Sequence, residues 1–356
     1  MDRFVILEDG AIFKGHSMGA SSTTMGEIVA NHSMIGYQEI ITDPTYTGQI
    51  IVFTYPEIGN IGIKNGNYES LLPSCKGIIL GNIFDDNRLY FQLSLNDYLN
   101  HQGIPCVCDI DTRALAKHLN NGSMKASIVD SVDEHAIDQL NALVLPKKQI
   151  YRVATTRPYL NPGNGNNIVL IDLGLKNRLL RVLNELKFNV TILPPTITID
   201  DIKELSPQGI IMSSGPGNPY ELLNLVSLIK EIQLHYPFFG IGLGFELFSL
   251  ANNIDLEQCS QGHHGINYPV KEIKTGCSYI TTQNFCYKIK SNSLNNNSML
   301  RISYIDLLDH IVVGLEHKLY PSMAVQFEPE SGPGPNDTKY IFNLFLSLIN
   351  KNDVGD

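Results

Sequence analysis

The chain has 356 residues, more than one ordinary hydrophobic core accommodates, so two domains are the first expectation. It is 43% hydrophobic and 17% charged with a mean hydropathy of −0.04, a composition that excludes disorder. Lys and Arg number 26 against 36 Asp and Glu, and the resulting charge of −10 argues against nucleic-acid and anionic-membrane partners.

Residues 1–150 read as short β-type runs separated by turn chemistry: Phe4–Leu7, Ile50–Thr54, Gly77–Leu80 and Cys106–Ile110. Helices are expected over Leu93–His101 and over Arg113–Asn120, the latter capped by Asp111-Thr112. An α+β domain with a mostly strand core is expected here. Residues 151–166, rich in Pro, Gly and Asn, read as a linker. Over 167–356, strands and helices alternate. Strands are expected at Ile168–Ile171, Val190–Leu193, Gly209–Met212 and Phe238–Ile241, and helices at Lys176–Leu186, Asp200–Leu205, Tyr220–His235 and Phe245–Asn252. Apolar runs without polar alternation imply strands buried on both faces, hence a doubly wound α/β domain with a parallel sheet. The asparagine-dense stretch 291–298 reads as an exposed loop in a terminal subdomain.

The six cysteines form no CxxC pair, so reduced thiols and no structural zinc are expected. His263-His264 lacks a second ligand cluster, and neither metal nor cofactor is expected. No apolar run reaches the ~20 residues of a membrane span. The first ten residues lack a signal peptide's apolar stretch, and a cytoplasmic protein is the expectation.

Parallel sheets bind ligands at the carboxyl ends of their strands, and two loops stand out there. Ser213-Ser-Gly-Pro-Gly-Asn-Pro219 can present backbone N–H groups to an anion, and Gly240-Ile-Gly-Leu-Gly-Phe-Glu246 has the strand, turn and helix pattern of a nucleophile elbow. With these loops the chain resembles, nearly end to end, the glutamine-hydrolysing small subunit of carbamoyl phosphate synthetase, a class I glutamine amidotransferase. In the first domain the resemblance is carried by Leu7-Glu-Asp-Gly, Gly26-Glu-Ile-Val, Asn31–Ile40, Thr42-Asp-Pro-Thr-Tyr46, Tyr55–Asn60 and Asp109-Ile-Asp-Thr-Arg113. In the second it is carried by Ser213–Pro219, the elbow, Gly262–Pro269, Gln283-Asn284 and Pro329–Pro335.

That resemblance implies a cysteine nucleophile, a histidine base oriented by a glutamate, an oxyanion site from the two loops, and ammonia transfer to a large subunit. It also implies substrate contacts at Thr45, Gly215, Gly217, Leu243, Glu246, Asn284, Cys286 and Tyr287. Yet where the family reads Gly-Ile-Cys-Leu-Gly-His-Gln this chain has Gly242 at the nucleophile position and Glu246 in place of glutamine. Where the family reads Gln-Gly-His-Pro-Glu, Glu328 replaces the base and only the orienting Glu330 remains. Asn284-Phe-Cys-Tyr287 replaces Asn-His-Gly-Phe.

The expected function is therefore a non-hydrolysing subunit, a pseudoenzyme, docking on an ammonia-using large chain in pyrimidine or arginine synthesis. Residual hydrolysis by another nucleophile, Cys286, and a stand-alone small-molecule-binding module are the alternatives. Glu328, Glu330 and Glu246 are expected to converge on one cleft. There they would either share protons in a pocket collapsed around Phe245 and Phe327 or accept a cation or amine.

Overall fold

The computed structural model describes residues 1–83, 93–119, 123–132, 135–295 and 297–353; Asn120 and Asn296, which fall in two of the expected segments, lie outside them. The chain divides into two compact units, Met1–Pro146 with Ser260–Gly265, and Lys147–Cys259 with Ile266–Asp356. No described helix is long and apolar enough to cross a membrane.

The first unit comprises β1 (Asp2–Leu7), β2 (Ile12–Gly19), β3 (Thr24–Asn31), α1 (Tyr37–Thr42), β4 (Gln49–Phe53), β5 (Glu57–Ile58), β6 (Gly77–Ile79), β7 (Asn82–Ile83), α2 (Leu95–Gln102), β8 (Pro105–Cys108), α3 (Thr112–Leu119), β9 (Met124–Val129) and α4 (Ala136–Ala142). Seven strands close a barrel in the order β1-β2-β8-β6-β4-β3-β9, and β5 pairs with β7 apart from it. Strand alternation gives the barrel two apolar faces. Ile50 and Val52 of β4 pack with Val5, Leu7 and Val107, while Ile51 and Phe53 pack with Ile41 and Leu99. The expected cap of α3 is present, Asp111 Oδ1 accepting from the Ala114 N–H at 2.9 Å. Strand β2, Ile-Phe-Lys-Gly-His-Ser-Met-Gly, has no continuous apolar run because it is half exposed, so its sequence carries no strand signal.

The second unit adds β10 (Tyr159–Asn161), β11 (Asn167–Ile171), α5 (Asn177–Glu185), β12 (Asn189–Leu193), α6 (Ile199–Leu205), β13 (Gly209–Met212), α7 (Leu223–His235), β14 (Phe238–Ile241), α8 (Leu243–Ala251), β15 (Leu256–Glu272), β16 (Ser278–Ile289), β17 (Leu300–Asp306), β18 (Val312–His317), β19 (Ser322–Val325) and α9 (Ile341–Asp353). They build one ten-stranded sheet, β10-β12-β11-β13-β14-β19-β18-β17-β15-β16. Val169, Ile171, Ile210 and Met212 enter the core on one face, and Ile168, Leu170, Val190 and Ile211 the core on the other, which is why these strands read as unbroken apolar runs.

Two expectations need correction. The sheet is mixed: β12, β11, β13, β14 and β19 run parallel, whereas β10 is antiparallel to β12, and β18, β17 and β15 continue antiparallel. The strands expected in a terminal subdomain thus extend the same sheet. The segment 151–166 is also no free linker, since β10 pairs with β12 and the Thr155 N–H donates to Asp172 Oδ2 at 2.7 Å. The division between units falls earlier, at Pro146 and Lys147.

Candidate functional site

The elbow joins β14 to α8, with Gly242 at its apex. Gly242 has φ 55° and ψ −111°, a region that costs other residues strain. It is held by its N–H donating to the Val325 C=O at 2.9 Å and by its own C=O accepting from Glu246 N–H at 3.1 Å. Leu243 and Glu246 are buried in the first turn of α8. The side-chain volume has been taken by another residue: a Cβ on Gly242 would lie 2.3 Å from Ser214 Oγ and 2.8 Å from Ser214 Cβ. Ser214 is the second residue of the glycine-rich loop Ser213–Pro219 after β13. Gly215 in that loop sits so near β11 that a Cβ would meet the Leu173 C=O at 2.2 Å, and Gly217 follows with φ 105°. Among the described residues Ser214 Oγ makes no hydrogen bond, so no base activates it.

Glu328 belongs to a buried ion cluster. Glu328 follows β19, its N–H donating to the Thr282 C=O at 2.9 Å. Its Oε2 is bonded to Lys176 Nζ, and Glu330 Oε1 lies 3.3 Å from the same nitrogen. All three side chains are at most 2% exposed. The loop after β11 brings Lys176 here. Asp172 Oδ1 accepts from the N–H groups of Gly174 at 2.9 Å and Leu175 at 2.8 Å, folding the chain back just before α5. Burial still pushes the Asp172 carboxyl above the ordinary range. Arg178 Nε donates to the Glu330 C=O at 3.2 Å and steadies the same segment.

Glu246 has a different partner. Gln326 Nε2 donates to Glu246 Oε1 at 3.3 Å and to the Tyr287 C=O at 2.5 Å. Burial pushes the Glu246 carboxyl up to about 8, with the Gln326 bond opposing the shift, so the group is mostly protonated at neutral pH. Of the three carboxylates, Glu328 and Glu330 meet, around an amine the protein itself supplies, while Glu246 bonds to Gln326. Phe245 and Phe327 are fully buried. They belong to the cores on opposite faces of the sheet, Phe327 packing edge-on against Tyr304 at 5.3 Å.

Asn284, Cys286 and Tyr287 lie on β16, where alternation puts Asn284 and Cys286 on one face and Tyr287 on the other. Cys286 is half-buried. Thr45 lies in the first unit, buried in the turn Pro44–Tyr46 with its hydroxyl on Asp43 Oδ1 at 2.6 Å. His263 and His264 are buried, and the His264 ring lies 6.1 Å from that of Tyr46.

Sequence reasoning missed Lys176, and it placed Ser214 only as part of the loop Ser213–Pro219, with no role of its own. Both follow strands of the parallel half at their carboxyl ends, the one position-based signal available. Neither stands in a motif that names its partner.

Residues 169–348 match the family described as glutamine amidotransferase class-I, which is the class of the second unit. Residues 5–128 match the carbamoyl-phosphate synthase small chain, CPSase domain. The carbamoyl phosphate synthase pyrimidine-specific small chain of Lactiplantibacillus plantarum is 41% identical, covering 99% of this chain and 98% of that one. The carbamoyl phosphate synthase small chain of Streptococcus pyogenes is 43% identical over 98% of this chain and 97% of its own, and that of Lactococcus lactis 41% over 98% of each. The chain belongs to the carbamoyl phosphate synthase small chain family. A solved protein of Thermoplasma acidophilum described as part of a GMP synthase, 22% identical over 53% of this chain and 96% of that one, superposes with a TM-score of 0.45, too slight a likeness to build on.

Proposed function

We propose that this chain is a cytoplasmic, non-hydrolysing small subunit that pairs with a carbamoyl phosphate synthase large chain as a heterodimer and supports synthesis from free ammonia. The observation that carries the reading is the Lys176–Glu328–Glu330 cluster beside an elbow whose apex is Gly242. Amide hydrolysis by this class of site needs a nucleophile and a group to accept its proton. Glycine offers no nucleophile, and a carboxylate held by a buried ammonium is a poor proton acceptor. Ser214 also fills the space a thiol would need. The oxyanion loops around Gly215 and Gly217 remain, but they have no tetrahedral intermediate to stabilise.

The relatives are named as small chains, and a small chain implies a large one, which supports the docking part of the reading. The product would enter pyrimidine or arginine synthesis; the Lactiplantibacillus plantarum relative is the one named pyrimidine-specific. Hydrolysis through Cys286 gains no support, because it would still need a group to take the thiol proton, and the residue at the base position, Glu328, is engaged with Lys176.

The test is to co-express the chain with the large chain of its own source and assay carbamoyl phosphate formation. Ammonium is expected to support turnover and glutamine is not. A glutamine-dependent rate near ~1 s⁻¹ would refute the loss of hydrolysis. Failure of the two chains to co-purify would refute the docking.

A further inference from the structure

Three of the first-unit motifs, Asn31–Ile40, Tyr55–Asn60 and Asp109–Arg113, have no part in the elbow chemistry. In the fold they meet at one surface cleft of about 510 Å³, walled by His32, Met34, Tyr55, Pro56, Arg113 and Ala116, with Thr54 beside His32. Its chemistry is divided. Arg113 is exposed in the first turn of α3 and, among the described residues, makes no hydrogen bond or ion pair. A guanidinium is a planar fork suited to a carboxylate, and in a chain of net charge −10 an unpaired one is conspicuous.

The tautomer of His32 follows from its neighbours. His32 Nδ1 is 3.1 Å from Thr54 Oγ1, which is itself 3.2 Å from the Asn31 C=O. A carbonyl can only accept, so the Thr54 proton goes to Asn31 and its oxygen accepts from Nδ1–H. The Nε2 lone pair is then left as an acceptor. Burial lowers the His32 pKa, and the ring is neutral at pH 7. Met34, Pro56 and Ala116 supply apolar wall.

We propose that this cleft binds a small monocarboxylate that also carries an N–H or O–H donor, with the carboxylate on Arg113 and the donor on His32 Nε2. A dianion fits less well, because the cleft offers one cation and a neutral imidazole. The volume lies within the ~300–1,000 Å³ of small-ligand sites. The inference is independent of the reading of the elbow, since no residue of the second unit takes part.

Saturation-transfer NMR on the full chain, with N-acetylglycine as the probe, tests it. Saturable binding with Kd of about 1 mM or tighter is expected. Arg113→Ala is expected to weaken binding by about tenfold or more, as is replacing the probe by the uncharged N-acetylglycinamide. Because Arg113 is exposed and bonds to nothing described, its removal leaves the fold intact, which circular dichroism checks. Absence of a saturable signal up to ~10 mM, or equal affinity in Arg113→Ala, or equal affinity for the uncharged amide, overturns the proposal. N-acetylsarcosine, which lacks the N–H, isolates the His32 contact: weaker binding supports it and equal binding overturns that half.

Discussion

Lys176 and Arg113 stand at matching points of their units, each where a strand hands over to a helix: β11 to α5 in the second unit, β8 to α3 in the first. Their fates differ. Lys176 is enclosed by Glu328 and Glu330, and its charge is consumed inside the fold. Arg113 opens on a cleft and keeps its charge available. Local sequence places a cation at the mouth of a strand in both cases. What separates a structural ion from a binding group is whether distant carboxylates come to meet it, and burial raises the cost of leaving it unmet.

The comparison is broken most severely at Lys176. Lys176→Met leaves two buried carboxylates without that cation and is expected to lower stability by about 3–5 kcal/mol in urea unfolding. The triple substitution with Glu328→Gln and Glu330→Gln is expected to recover most of the loss. If Lys176→Met alone is neutral, the cluster does not hold the site together.

A smaller effect, dependent on pH, belongs to Glu246, a buried acid bonded to Gln326. Its folded pKa, about 8, lies above its ordinary value of 4.5, so the unfolded chain releases this proton first. Stability from this group is therefore highest below pH 4.5 and falls as pH rises from there to about 8, by roughly 1.4 kcal/mol per unit at most. Glu246→Gln is expected to be close to neutral at pH 5 and to stabilise by roughly 2–4 kcal/mol at pH 8. A mutant offset that does not change with pH would show that Glu246 is already ionised in the folded protein.

Next in size is Gly242→Cys, which imposes a side chain at φ 55° and drives it against Ser214. A loss of about 1–3 kcal/mol is expected, partly recovered by adding Ser214→Gly. Neither variant should hydrolyse glutamine, because Glu328 still holds Lys176. Adding Glu328→His supplies the missing base. Turnover by the single mutant would show that the dyad partner is dispensable. The smallest effect is at the open end of the comparison: Arg113→Ala should change stability by less than about 0.5 kcal/mol, and a larger loss would mean that Arg113 is a structural ion after all.

The elbow was legible because its signal is local. A strand, a glycine-rich turn and a helix start are contiguous over Gly240–Glu246. The parallel strands were legible for a similar reason, since burial on both faces leaves apolar runs such as Gly209–Met212. Strand β15 was not. Its 17 residues include Gln-Cys-Ser-Gln-Gly-His-His-Gly, too polar and too rich in turn formers to resemble a strand, and its pairing with β17 falls only at its end, Val270–Glu272.

By itself, then, the sequence determined the family and the alternation that builds the parallel half of the sheet, because each rests on residue identity or short-range periodicity. Only the tertiary structure decided which side chains meet Glu328 and Gly242. Lys176 and Glu328 are 152 positions apart, and Ser214 reaches the elbow from a neighbouring strand. No periodicity encodes such pairs. They follow from the sheet bringing the carboxyl ends of β11, β13, β14 and β19 side by side, where buried charge must find its counter-charge and the space beside a glycine is filled by whatever lies against it.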